Sequence, residues 1–405
     1  NRMEKIMFNS IEEAIEDIKK GKPIIVVDDE DRENEGDLVI PAQVITEETV
    51  NFMIKEARGL MCVPITKERA DELELNLMTA NNTDSHGTAF TISVDSLEGT
   101  TTGISVGDRY RTIKDILNPQ KKSKDFKKPG HLFPLIASKG GVLDRKGHTE
   151  ASVDLAKICG YEPVSVIIEI IKDDGEMARR DDLMEFAKKY DLKIITIDHI
   201  IDYRKKNEDL VTREVEVVLP TKFGDFKMAA FSDEIEKKEY IAVFKGDLRG
   251  KEDVLVRLHS ECLTGDVFGS KRCDCGEQLQ KSLESINEKG EGLLIYLRQE
   301  GRGIGIYNKL KAYNLQDQGH DTVEANHLLG FKDDLRDFAV AAQIIKDFEI
   351  KSINILTNNP KKIESLEKYG IDVKKRIDSE TEPTTENKKY LETKRDKMGH
   401  YILKK

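Results

Sequence analysis

Apolar residues recur at helical spacing at Ile11, Ala14, Ile15 and Ile18, and Gly21 stops the pattern, so the chain predicts a helix here. A run without alternation follows, Ile24-Ile25-Val26-Val27, the mark of a buried strand. It delivers an acidic segment, Asp28 to Asp37, at its end. Apolar runs over 164–171 and 193–197 flank a helix-like stretch over 177–190, which predicts a strand–helix–strand unit. The polar segment 203–210 then breaks the periodicity. A domain boundary is expected there, giving domains 1–205 and 206–405.

The second half restarts with alternating Val215, Val217 and Leu219, then the apolar run 241–244. Strands are predicted over 254–259, 293–297 and 351–357. Helices are predicted around Leu279, Leu283 and Ile286, over 339–348 and over 360–369. Both halves mix helix and strand, so the expected class is α+β: two unlike mixed α/β domains in tandem, each a mixed sheet covered by helices. No internal repeat links the halves. The tail beyond Asp378 is charged and weakly apolar, and partial mobility is expected of it.

Composition narrows the class. A length of 405 residues predicts two or three domains, and 38% hydrophobic residues suffice for sizeable cores. A net charge of −11 argues against nucleic acid as the main partner. No apolar run approaches the roughly 20 residues of a membrane span. Five cysteines, an odd number, and an N-terminus unlike a secretory signal predict a reducing, cytoplasmic setting.

Candidate chemistry concentrates in two places. Cys262, Cys273 and Cys275 stand in the pattern C-x10-C-x-C with no second cysteine pair after them. Three thiolates suit zinc and leave its fourth corner to water, as in a catalytic site. A closed Cys3His site using His259 and a disulfide are the alternatives. The segment 298–305, rich in arginine and glycine, suits wrapping phosphate. In the first half, seven carboxylates fall within Asp28–Asp37. Such a block is either solvated surface or a cradle for a hard cation such as magnesium. Arg145 to Glu150, the Pro129-Gly130-His131 turn and the hydroxyl-rich 100–105 segment would suit a sugar phosphate. Each also has a plain reading, as an N-cap, a turn and a threonine-rich strand end.

At this point motifs can be matched. DDEDRENEGDL (28–38), NTDSHGTAFTISVD (82–95), TTGISVGDR (101–109), PGHLFPL (129–135), RKGHTEASVDLA (145–156) and DDGEMAR (173–179) closely resemble 3,4-dihydroxy-2-butanone-4-phosphate synthase. RLHSECLTGDVFGSKRCDCG (257–276), RQEGRGIGIYNKLKAYNLQDQGHDTVEAN (298–326), DLRDF (334–338) and TNNPKK (357–362) resemble GTP cyclohydrolase II. The order is that of the bifunctional riboflavin-biosynthesis fusion.

For the first half the resemblance implies a lyase that converts D-ribulose 5-phosphate to 3,4-dihydroxy-2-butanone 4-phosphate and formate. It assigns Glu33 and His148 to magnesium or manganese, and His131 and Glu169 to catalysis. Arg32, Glu33, Asp37, Arg145, Lys146, Gly147, His148, Thr149 and Glu169 would hold the substrate. Cys62 matches a pocket position, while its apolar setting fits packing.

For the second half it implies a hydrolase that opens the imidazole ring of GTP, with loss of formate and pyrophosphate. Cys262, Cys273 and Cys275 would hold one zinc, and GTP also carries Mg2+. Arg257, Leu258, His259, Ser260, Glu261, Gln278, Glu300, Gly301, Arg302, Thr322, Thr357 and Lys362 match GTP-contacting positions. Asp334 matches a proton acceptor and Arg336 a nucleophile, although a guanidinium that stays protonated suits charge stabilisation better. The resemblance also suggests a homodimer.

Two departures stand out. Ile168 replaces a common cysteine, with little expected consequence. The residues after Arg376 replace an apolar, proline-containing run, which bears on tail packing rather than on either site. The other readings are a fusion with only one active half and a zinc-stabilised binding module.

Overall fold

The computed structural model describes residues 8–331, 334, 336–385 and 387–402. The chain divides into two compact units, 1–204 and 205–405. Each is built on a seven-stranded mixed sheet, so the class is α+β in both.

In the first unit the strands are β1 (Ile24–Val27), β2 (Gly36–Pro41), β3 (Cys62–Ile65), β4 (Val94–Ser96), β5 (Phe126–Ile136), β6 (Ser165–Glu169) and β7 (Ile194–Thr196). Their order is β4-β5-β3-β6-β2-β1-β7. All four residues of β1 and all six of β2 are buried, which is why Ile24–Val27 reads as an unbroken apolar run, whereas β2, opening on Gly36-Asp37, carries no such mark. The opening helix, Ile11–Lys19, starts at a capping box between Ser10 and Glu13 and buries Ile11, Ala14 and Ile18. The expected helix over 177–190 begins later, at Arg180, because Arg179 serves as its N-cap. The polar segment expected to break periodicity is helical as far as Asn207. The His148–Ile158 helix is buried through its first nine residues, and its alanines and serines allow it to lie close on the sheet.

Pro129-Gly130, expected as a turn, lies inside β5. A Cβ on Gly130 would come within 2.1 Å of the Val94 backbone in β4. The glycine is there for close strand approach, not for turning.

The second unit holds β8 (Val211–Thr221), β9 (Gly224–Asp233), β10 (Glu239–Lys245), β11 (Val254–Ser260), β12 (Gly292–Leu297), β13 (Ile353–Leu356) and β14 (Val373–Ile377). The order is β14-β13-β11-β12-β10-β9-β8. Neighbours β12, β11 and β13 run parallel, so their C-terminal ends open at one edge, where sites of mixed sheets gather. The alternation at 215–219 belongs to edge strand β8, where Val215 and Val217 are half-exposed rather than in the core. The tail past Asp378 is seated, contrary to the mobility expected from its composition. It forms the Lys388–Asp396 helix and buries Leu391 and Ile402.

Candidate active sites

In the first unit, sheet register assembles the site. Val26 pairs with Asp37 and Asp37 with Glu169. Cys62 pairs with both Ile167 and Phe133, which sets β3 between β6 and β5. The Leu60 amide donates to Glu169 Oε2 at 2.7 Å, and His148 Nε2 lies 3.2 Å from the Val26 carbonyl. One row across the sheet therefore holds Glu169, Asp37 and Val26, with His148 against Val26. Residues in such a row face the same side.

The acidic loop is folded by its first residue. Asp28, buried, accepts from Arg32 Nη1 at 2.9 Å and from the Glu33 and Glu35 amides at 3.1 and 2.9 Å. The block is not mere solvated surface, because this wrapping aims Glu33 inward. Glu33 stands 3.7 Å from His148 Nδ1, 3.0 Å from Arg32 Nη2 and 3.9 Å from His86 Nε2. The His148 hydrogen bond holds Glu33 down at about 2, against the effect of burial. Burial works against protonating His148, but Asp37, Glu33 and Asp28 outweigh it and lift the imidazole to about 9. Burial pushes Asp37 up to about 7, with His148 pulling back and Glu169 adding to the rise.

Ligand atoms of Asp28, Glu33 and His148 all lie within 4.8 Å of one another. Two carboxylates and an imidazole amid surplus negative charge fit a hard divalent cation. Asp28 and His86 were missed in the sequence. Asp28 had a signal, as the first acid after a buried strand, whereas His86 had none.

His131 gains a partner that the motif contained but did not single out. Asp95 Oδ2 lies 2.7 Å from His131 Nδ1, and Asp95 Oδ1 accepts the His131 amide at 2.9 Å. Asp95 is buried while the His131 ring is half-exposed. Gly103 presses on this pair: at φ +99°, a Cβ there would sit 2.1 Å from Asp95 Oδ2 and 2.5 Å from His131 Nδ1. Gly103→Ala is therefore expected to cut formate release from ribulose 5-phosphate at least about tenfold and leave the GTP reaction within twofold. Parallel assays of the two substrates check this.

The hydroxyls near Gly103 are otherwise engaged. Thr101 Oγ1 donates to Asp108, Thr100 Oγ1 to the Ser96 carbonyl, and Ser105 caps the Val106–Leu117 helix. They shape the loop rather than greet phosphate. In the 145–149 loop, Arg145 donates to Glu150 at 2.6 Å and Lys146 faces Asp198 at 3.3 Å. Gly147, not His148, is the N-cap, and buried Thr149 follows in the first turn. Cys62 is buried in the core, where burial and the charges of Glu169 and Asp37 keep its thiol protonated.

The second site lies at the ends of β11, β12 and β13. The three ligand sulfurs of Cys262, Cys273 and Cys275 lie within 4.8 Å of one another, and Cys262 and Cys273 sulfurs are 3.6 Å apart. Zinc–sulfur bonds of ~2.3 Å in a tetrahedron put sulfurs ~3.8 Å apart, so the thiols fit zinc. A Cβ on Gly265 would sit 2.9 Å from Cys273 Sγ, so this glycine makes room for the sulfurs. The neighbouring Cys273 and Cys275 thiols, with Lys309 Nζ at 3.1 Å, push the Cys262 thiol below its usual range. All five cysteines are free, which sets the disulfide alternative aside. His259, the alternative fourth ligand, has Nε2 bound to Asp266 at 3.0 Å. Asp266 also accepts the Cys262 amide at 3.0 Å and Tyr296 Oη at 2.8 Å.

Around the thiols lies a pocket lined by most of the expected GTP-contacting residues: Ser260 and Glu261 at its β11 edge, Thr322 and Thr357 farther round. Arg257 is buried and donates to Gln278 at 2.6 Å. Arg336 clamps Asp334 through two bonds of 2.8 and 2.7 Å and reaches Ser260 Oγ at 3.3 Å. Asp334 lifts the Arg336 guanidinium above its usual range despite burial. Leu258 differs from expectation: it is a core residue, and its carbonyl accepts Lys362 Nζ at 2.7 Å. Burial beside Arg257 and Arg336 pushes the Lys362 ammonium well down. Glu300 bridges Lys309 at 2.7 Å and the Leu263 amide at 2.7 Å, while Gly301 and Arg302 both turn with positive φ.

Several buried donors facing this pocket have no partner among the described residues: Arg257 Nε, Arg302 Nη1, Asn358 Nδ2 and Asn359 Nδ2. Buried donors left unpaired are costly, and an acceptor-rich ligand would satisfy them. Lys309 and the two asparagines were missed, lying inside matched motifs with nothing to mark them. The segment after Arg376 also touches the site, because Ser379 accepts from Arg257 at 3.3 Å and donates its amide to Asn358.

Residues 12–203 match the 3,4-dihydroxy-2-butanone 4-phosphate synthase family and residues 212–378 the GTP cyclohydrolase II family. The chain is 58% identical over 396 residues to the riboflavin biosynthesis protein RibBA of Bacillus mycoides (strain KBAB4), covering 98% of this chain and 100% of that one. The RibBA of Bacillus cereus (strain B4264) matches equally, at 58% with the same coverage. Among solved structures, RibBX of A. baumannii, a two-domain 3,4-dihydroxy-2-butanone 4-phosphate synthase, is 35% identical with a TM-score of 0.65. That match covers 91% of this chain and 99% of the other. The chain thus belongs to the bifunctional riboflavin-biosynthesis family, in which a 3,4-dihydroxy-2-butanone 4-phosphate synthase is joined to a GTP cyclohydrolase II.

Proposed function

We propose that both halves are active, each through the site just described. Supporting this most directly are the zinc-spaced thiols beside a pocket of unpaired buried donors. A zinc ion on Cys262, Cys273 and Cys275 would supply Lewis acidity toward water at the guanine ring. Arg257, Arg302, Arg336 and Lys362 bind the triphosphate. Arg336, protonated and clamped by Asp334, stabilises charge on the departing pyrophosphate rather than attacking phosphorus. Asp334 orients that guanidinium, and any proton it accepts requires the clamp to loosen.

In the first unit, a divalent cation among Asp28, Glu33 and His148 would stabilise oxyanion character on the sugar. His131 and Glu169 move the protons that convert ketose to enediol. The Asp95 contact at Nδ1 leaves His131 Nε2 free as the base. Arg145 and Lys146 frame the phosphate end near the helix start at Gly147.

Free thiols suit a reducing, cytoplasmic setting, and the family resemblance suggests a homodimer. No helix among the described residues is long and apolar enough to cross a membrane. Formate release is the test, with ribulose 5-phosphate and magnesium in one assay and GTP with zinc and magnesium in another. Formate from both is expected. Formate from one alone would leave a fusion with a dead half.

A further inference from the structure

Among the pocket-lining residues are four from beyond the segment 212–378 that matches the GTP cyclohydrolase II family: Tyr390, Lys394, His400 and Ile402. The tail that carries them is held on several sides. Lys394 Nζ pairs with Asp274 at 2.8 Å, the carboxylate buried and the lysine largely so. Lys397 reaches Asp321 and Glu324, at the start of the Thr322–Leu328 helix. The Tyr401 amide donates to the Asn358 carbonyl at 2.9 Å, and Arg376 stacks over the Tyr401 ring at 4.9 Å.

What the tail presents to the pocket is positive charge and a hydrogen-bonding ring. Lys394 joins Arg257, Arg302, Arg336 and Lys362 around one cavity. His400 sits among four of these cations, and burial together with Lys394, Arg336, Arg302 and Lys362 keeps its imidazole neutral. Five basic side chains converging on this space repel one another when charged, and of the acids that line it, Glu261, Asp274 and Glu300, two are already paired with Lys394 and Lys309. A polyanion is the ligand chemistry that relieves such repulsion. A buried Arg302 nitrogen with no partner among the described residues points to the same ligand.

We propose that the C-terminal tail completes the polyphosphate-binding half of the GTP pocket, with Lys394 contacting the phosphates and His400 bonding beside it. This rests on the reading of that pocket as the GTP site. It makes the tail a determinant of triphosphate binding rather than an appendage.

The test uses the full-length chain and the variants Lys394→Gln, Lys394→Arg and His400→Ala. The readouts are KM and kcat for GTP, inhibition by inorganic pyrophosphate, zinc content, and formate release from ribulose 5-phosphate. Losing one charged hydrogen bond to phosphate costs about tenfold or more. Lys394→Gln is expected to raise both the GTP KM and the pyrophosphate inhibition constant by about tenfold, with zinc content and the ribulose 5-phosphate reaction unchanged. Lys394→Arg should recover most of that loss, and His400→Ala should raise both constants about threefold. Unchanged KM and pyrophosphate inhibition in Lys394→Gln and His400→Ala would overturn the proposal. So would equal loss of zinc in Gln and Arg variants without a pyrophosphate effect, since that would reduce Lys394 to a prop for Asp274. Failure of the unaltered chain to release formate from GTP would instead refute the underlying site reading.

Discussion

Cys273→Ser is expected to strip zinc from the chain and lower formate release from GTP by about a thousandfold or more. Formate release from ribulose 5-phosphate should stay within about twofold, and the melting transition of the second unit should survive. The reason lies in what holds the thiol loop. Asp266 receives the Cys262 amide, the His259 ring and the Tyr296 hydroxyl, and Glu300 receives the Leu263 amide. These bonds close the loop without metal. Behind them stands a core that includes Leu258, Ile295 and Ile355, whose burial does not depend on zinc. A small zinc domain lacks such support and unfolds when its metal leaves. The measurements are metal content, both formate assays and a thermal melt. Loss of the melt along with the metal would make the zinc structural and revive the binding-module reading.

Much of the architecture was legible because its central strands are buried on both faces. The runs at Ile24–Val27 and over 293–297 read as buried strands because nothing polar interrupts them. What escaped was of three kinds. Edge strand β8 has a core-like alternation at Val215 and Val217 that faces outward, and alternation alone does not say which face is covered. Residues whose role is to hold another residue also escaped. Asp95 and Lys309 sit inside recognisable motifs, but only folding brings Asp95 to His131, 36 positions away, and Lys309 to Cys262, 47 positions away. The tail escaped for a third reason. Its charges read as solvated surface, yet Lys394 is paired with buried Asp274, 120 positions earlier, and long-range ion pairing leaves no periodic trace.

Asp95→Asn is the second substitution with a large expected effect, and its geometry decides the outcome. Asparagine fits the same space, but it has one oxygen where aspartate has two. The His131 amide, a fixed donor 2.9 Å from Oδ1, requires that oxygen. The new amide nitrogen must then face His131 Nδ1, 2.7 Å away, and donate to it. Nδ1 becomes the acceptor, so the neutral ring carries its proton on Nε2, where a base needs a lone pair. The expected result is a fall in kcat for ribulose 5-phosphate of about 10³-fold with little change in KM. The GTP reaction, in the other unit, should be unaltered. A merely structural role for Asp95 would instead lower both constants together and be repaired by stabilising conditions. The decisive comparison is the double variant with His131→Ala. If Asp95 works by fixing the His131 tautomer, adding Asp95→Asn to His131→Ala costs almost nothing further, because the ring it orients is already gone. Additive losses in the double variant would separate Asp95 from His131 and refute the pairing.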